Sequence, residues 1–150
     1  MPCRTAPSAW ARCACCREST RPSRHVALKE SIVLFAHGSR EPEWAQPFER
    51  IASRLRQEFR VELAYLEQMR PTLDEALTSL VTEGAKRVRI VPLFLGQGGH
   101  IRKDLPRLAA QARARHVGVE IVLETTIGER AEITEAIAAV ISKGIPHQSR

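Results

Sequence analysis

Ile32-Val33-Leu34-Phe35-Ala36-His37-Gly38-Ser39-Arg40 is the stretch on which the reading of this chain turns. Its first five residues form a short, continuous apolar run, the pattern of a strand buried on both faces. The run gives way at once to His-Gly-Ser-Arg, so the strand ends in a polar loop. Beyond the loop, Trp44, Phe48, Ile51, Ala52, Leu55 and Phe59 recur at helical spacing. Trp44 and Phe48 read as core residues of a helix that also borders any cleft formed at the strand ends.

The alternation continues downstream. Val61 to Leu66 reads as a second strand. Pro71 sits where a helix start tolerates proline, and Leu73, Ala76, Leu77, Leu80 and Val81 make an apolar stripe closed by Gly84. Val88 to Leu95 reads as the third strand; Pro92, which donates no backbone hydrogen bond, belongs near its end or at an irregularity. Gly96-Gln97-Gly98-Gly99-His100 reads as a flexible loop. The next helix has Leu105, Leu108, Ala109 and Ala112 inward and Pro106 in its first turn. Val119 to Leu123 is the fourth strand, and Ile133, Ala136, Ile137, Val140 and Ile141 line the last helix. Four strand–helix alternations predict an α/β fold: an open four-stranded parallel sheet flanked by helices on both faces. Right-handed crossovers restrict the topology, and a flavodoxin-like order 2-1-3-4 is favoured.

A chain of 150 residues is long enough for one domain with its own core. Its composition divides it into a disordered basic tail over 1–29, a domain over 30–143 and a flexible C-terminus over 144–150. The net charge of +6 is concentrated outside the body. Residues 1–30 hold six basic and two acidic residues, a net +4, whereas 31–143 hold sixteen and fifteen, a net +1. A basic tail binds polyanions weakly, and no specific nucleic-acid reading by the domain is expected. All four cysteines, Cys3, Cys13, Cys15 and Cys16, also lie in the tail. The body therefore has no disulfide, which fits a reducing, cytoplasmic setting. The tail's C-x-C-C run lacks the paired spacing of a zinc site. The tail is Arg- and Ser-rich like a transit peptide, and a start of translation near Val26 or Leu28 is the simpler reading. No apolar run reaches the roughly 20 residues that cross a bilayer, so no membrane partner is expected.

In such a sheet the loops leaving the strand C-termini share one edge, where ligands bind. After strand one come His37, Gly38, Ser39 and Arg40; after strand two, Glu67, Gln68, Met69 and Arg70; after strand three, Gly96 to His100, then Arg102 and Lys103. If strands one and three are neighbours, His37 and His100 face one cleft. Two imidazoles and a carboxylate suit a borderline divalent metal and leave room for an exchanging group. Neutral imidazole also accepts protons near neutral pH. The bland readings are a hydrogen-bonded structural histidine, a solvated Glu67 and ordinary surface cations at Arg40, Arg70, Arg102 and Lys103. Together on one edge, those cations can bind several carboxylates. His116 is read as ending a helix, where a cation suits the dipole; His25 and His147 lie in the tails. The glycines do not form a Walker loop or a dinucleotide fingerprint, and no aspartate ends a central strand as in a phosphoacceptor domain.

Four stretches resemble the CbiX-type class II chelatases: Ile32 to Arg40, Leu66 to Leu73, Gly84 to Val88, and Val91 to Pro106, in the family's order over about residues 31–142. The resemblance implies a chelatase-like fold and insertion of cobalt or ferrous iron into sirohydrochlorin, for cobalamin or siroheme synthesis. It implies His37 and His100 as metal-facing, proton-accepting residues, with Glu67 as a third metal-site residue. It places Leu95, Gly96, Gln97, Gly98 and Gly99 against the tetrapyrrole, with Arg40, Arg70, Arg102 and Lys103 near its carboxylates. Arg70 stands where some relatives have glutamate. No organic cofactor or nucleotide is implied; the metal is a substrate. Long members hold two such halves, so this single half implies a homodimer. Nickel insertion into a related ring, a non-catalytic metal or tetrapyrrole carrier, and a flavodoxin-like regulatory module are the competing readings.

Overall fold

A computed structural model of the chain describes residues 30–96 and 98–144, the side chain of His100 excepted. The tail over 1–29 with its cysteines, Gln97 and residues 145–150 lie outside the described residues, as do the readings made on them. The apolar run at Ile32 is the central strand, β1 (Ser31–Ala36), with all six residues buried. It pairs in parallel with β2 (Arg60–Tyr65) on one side and β3 (Arg87–Pro92) on the other, and β4 (Glu120–Leu123) pairs in parallel with β3. The order is β2-β1-β3-β4, as the sequence predicts.

The helices follow in turn: α1 (Gln46–Leu55) after a 3-10 turn at Pro42–Ala45, then α2 (Leu73–Thr82) and α3 (Gly99–Arg115). Last comes α4 (Ala131–Gly144), after a 3-10 turn at Ile127–Glu129. Alternate residues of β1 serve two cores. Val33 and Phe35 join Val88 and Ile90 under α2 and α3, whose Leu77, Leu80, Ala109 and Ala112 close that layer. Phe94 meets Phe35 edge-on, with centroids 6.1 Å apart and planes at 84°. Truncating Leu77 or Leu80, both fully buried, costs about 2–5 kcal/mol by general experience of core cavities. Ile32, Leu34 and Ala36 face the other way and pack with Val61, Leu63 and Ala52, flanked by Trp44, Phe48 and Leu55.

This second layer covers only half the sheet. On the α1 side of β3 and β4, Arg89, Val91, Leu93 and Val122 are only half-buried. The stripe of α4 does not close that gap. The helix packs chiefly against the 3-10 turn before it. Ile137, Val140 and Ile141 are 41%, 72% and 58% exposed. A parallel sheet is ordinarily covered on both faces, so the single chain leaves apolar surface open on both the sheet and the helix. No helix among the described residues is long and apolar enough to cross a membrane.

Several boundaries differ from the sequence reading. The third strand stops at Pro92, which still faces Phe35 in register, and Leu93 donates its N–H to the Phe35 carbonyl at 2.7 Å. A proline as the last strand residue forgoes a donor where the ladder is ending. The greater correction is at the glycines. Gly98 has extended backbone angles and serves as the N-cap of α3, so Gly99 and His100 belong to the helix rather than to a loop. Glycine is a good N-cap without any side-chain bond. Because the helix starts so early, Pro106 lies in its interior and not in its first turn.

Candidate functional site

The strand C-termini open onto a cleft of about 620 Å³, within the range of small-molecule sites. Its lining is mostly apolar. Helix α1 and the turn before it contribute Trp44, Phe48 and Ile51, spaced so that they share one helical face. Leu93, Phe94, Leu95 and Gly96 of the β3–α3 loop form a second wall, joined by Ile101 of α3. Ile127 and Ile133, from the 3-10 turn and α4, close a third side. His37, directly after β1, is the one titratable residue among these lining groups.

His37 is held by its neighbour loop. Its Nδ1 lies 3.4 Å from Oε1 of Glu67, with both side chains about half exposed (46% and 52%). The backbone reinforces the pairing: Glu67 donates its N–H to the His37 carbonyl at 3.0 Å. Gly38 makes this approach feasible. Its φ is +95°, and a Cβ there would stand 1.9 Å from the Glu67 carbonyl oxygen. The carboxylate thus lies on the Nδ1 side of the ring, and Nε2 is the nitrogen away from it.

The other expected site residues fall in three places. Ile101, which follows His100, lines the same cleft as His37, so the first turn of α3 borders the site. Leu95, 70% exposed, and Gly96 line it directly. Gly98, Gly99, Arg102 and Lys103 are exposed at the start of α3. Arg40 is also exposed and donates from Nε to Gln68 at 3.4 Å, which leaves its other two nitrogens for a ligand. Arg70 instead pairs with Glu75 in the first turn of α2, and neither it nor Glu67 lines the cleft. No cluster of three or more His, Cys, Asp or Glu able to hold a metal occurs among the described residues.

Sequence reasoning missed the third wall. The loop after β4, Glu124 to Arg130, carries no histidine, cysteine or glycine-rich run to mark it, yet it braces the loop at Leu95 from behind. Gly128 donates its N–H to the Phe94 carbonyl at 3.0 Å. A Cβ at Gly128 would meet the Leu95 carbonyl oxygen at 2.1 Å, so only glycine permits this close approach.

A parallel sheet with an apolar, histidine-edged cleft at its carboxyl ends defines an open α/β domain with a ligand cleft at the usual edge of such a sheet. The CbiX family model matches residues 31–143. A sirohydrochlorin cobaltochelatase from Saccharolobus solfataricus is 37% identical over 119 residues, covering 76% of this chain and 91% of that protein. Among solved structures, a cobalamin biosynthesis CbiX protein from Marinobacter aquaeolei superposes with a TM-score of 0.69 at 34% identity, over 77% of this chain and 96% of that one. The sirohydrochlorin chelatase SirB from Bacillus subtilis in complex with cobalt gives 0.66 at 25% identity. That match covers 77% of this chain and 50% of SirB, so this chain spans about half of SirB's length. The chain belongs to the CbiX family.

Proposed function

We propose that this protein is a sirohydrochlorin metal chelatase, inserting cobalt or ferrous iron into the ring on the way to cobalamin or siroheme. The observation that carries the reading is His37, paired with Glu67, at the edge of an otherwise apolar cleft of about 620 Å³. The flat ring lies against Trp44, Phe48, Ile51 and Leu95, and its carboxylates reach the exposed cations at the rim, Arg40, Arg102 and Lys103. Two ring N–H protons leave as the four ring nitrogens bind the divalent ion. His37 and His100 contact the incoming ion and take those protons, the divalent metal being a substrate that departs in the product. Glu67 holds the His37 imidazole and adds negative charge beside the ion. Arg70, committed to Glu75, contributes to a carboxylate only after leaving that pair. The ring contacts proposed from the sequence extend to Gln97, Gly98 and Gly99, the last two at the start of α3. No organic cofactor enters the scheme, and a cysteine-free body suits the reducing cytoplasm.

The proposed macromolecular partner is a second copy of the chain. The unpartnered apolar face of α4 and the half-covered face over β3 and β4 support it, as does the presence of one half-domain where SirB has about twice the length.

An anaerobic absorbance assay with sirohydrochlorin and either cobalt or ferrous ion tests the function. Catalytic amounts of protein should yield many equivalents of metallated product, which a stoichiometric carrier would not. His37→Ala and His100→Ala should each abolish insertion while the circular dichroism spectrum stays unchanged; normal turnover by either variant refutes the assignment.

A further inference from the structure

We propose that Arg50 and Arg54 on α1 form a second carboxylate-binding rim, which selects for heavily carboxylated macrocycles. The proposal rests on reading the cleft as the tetrapyrrole site. Ile51, 44% exposed, belongs to two concavities at once. One is the cleft edged by His37. The other is an open groove of about 390 Å³ lined by Pro47, Arg50, Ile51, Arg54 and Leu55. The two are therefore continuous across a single side chain. A helix turns roughly 100° per residue. On α1 this sets Phe48 and Leu55 on the sheet side of Ile51, and Pro47, Arg50 and Arg54 on its outer side. A ring resting on the Trp44-Phe48-Ile51 face would thus carry its peripheral groups over Ile51 toward both guanidinium groups.

The charges support the same conclusion. Arg50 and Arg54 stand four residues apart, a like-charge spacing that disfavours the helix. Neither has a carboxylate partner among the described residues, and both are exposed. Glu49, next to Arg50, is already paired with Arg56 at 3.3 Å. Arginine's planar fork matches a carboxylate bidentately. A macrocycle bearing many acidic arms provides the missing counter-charge, whereas one with few arms would leave this rim unsatisfied.

The test uses the full-length chain and its Arg50→Ala, Arg54→Ala and doubly substituted variants. Equilibrium binding of metal-free sirohydrochlorin is titrated by absorbance, alongside KM and kcat. Each single change should raise Kd and KM for the ring several-fold, and the double change about tenfold or more. The kcat and the KM for metal should stay the same. Affinity for a tetrapyrrole with fewer carboxylates should barely move, so discrimination between the two rings narrows. Arg→Lys at either site should recover part of the loss. Unchanged ring affinity in the double variant, or an equal loss for both rings, would overturn the rim. Tight, arginine-dependent ring binding without turnover would instead count against chelatase activity and leave the rim standing.

Discussion

Glu67 lies beside Nδ1 of His37, and the proposed chemistry belongs to the ring's other nitrogen. That division predicts different results at the two residues. Glu67→Gln should lower kcat/KM about 10–100-fold, the usual effect of losing a carboxylate behind a metal-facing histidine. Sirohydrochlorin binding, measured separately by absorbance, should change far less; a wild-type rate would remove Glu67 from the mechanism. The histidine was legible in the sequence because a polar residue ending a buried strand has one place to go. The role of Glu67 was only partly legible. It was expected as a metal-site residue, but its position behind the imidazole depends on the left-handed turn at Gly38 and on a backbone bond between two loops 30 residues apart in number (37 and 67). Neither is encoded in local spacing.

At the scale of elements, α2 was legible in its apolar stripe and the glycine that closes it, whereas its start was not: Pro71, expected at the helix start, precedes the N-cap Thr72. Thr72 and Glu75 form a reciprocal capping box, Thr72 Oγ accepting from the Glu75 N–H and Glu75 accepting from the Thr72 N–H at 2.8 Å. Thr72→Ala should cost about 1 kcal/mol in denaturant unfolding. The Thr72 N–H, more than the nearby Arg70, lowers the Glu75 carboxyl below its ordinary value of 4.5. A depressed folded value means that this contribution is present above pH 4.5 and lost as pH falls through the folded value. The melting temperature should therefore fall more steeply on acidification below about pH 4.5 in the wild type than in Glu75→Gln; parallel curves would dismiss the cap as a source of acid sensitivity. The start of α3 was misread because three glycines suggest mobility, whereas a single extended glycine before His100 is enough to begin a helix. Periodicity identified the apolar face of α1, but it could not tell core from cleft, because a ring-binding wall and a packed layer demand the same residues.

For the whole molecule, alternation predicted the parallel sheet and the favoured order 2-1-3-4 is the one observed, but neither that order nor the disposition of α4 is written in the sequence. An apolar stripe reads the same whether it packs on its own sheet or on a neighbour. With Val140 and Ile141 mostly exposed, burying each fully is worth up to about 1.5–3 kcal/mol. Size-exclusion chromatography with light scattering should find the wild type dimeric, and Val140→Asp or Ile141→Asp should shift it to monomer with its secondary structure retained. A wild type that stays monomeric at roughly 100 µM, a concentration at which micromolar interfaces form, would end that expectation.

The contact between Gly128 and the backbone of Leu95 bears on redesign for other macrocycles. Exchanging the Leu95 side chain reshapes one wall of the cleft, but it cannot relocate a main chain that is propped from the rear. An engineer seeking a deeper or shallower pocket would have to alter the span from β4 to α4, which adds Ile127 to the cleft wall and which a screen restricted to the histidines would overlook.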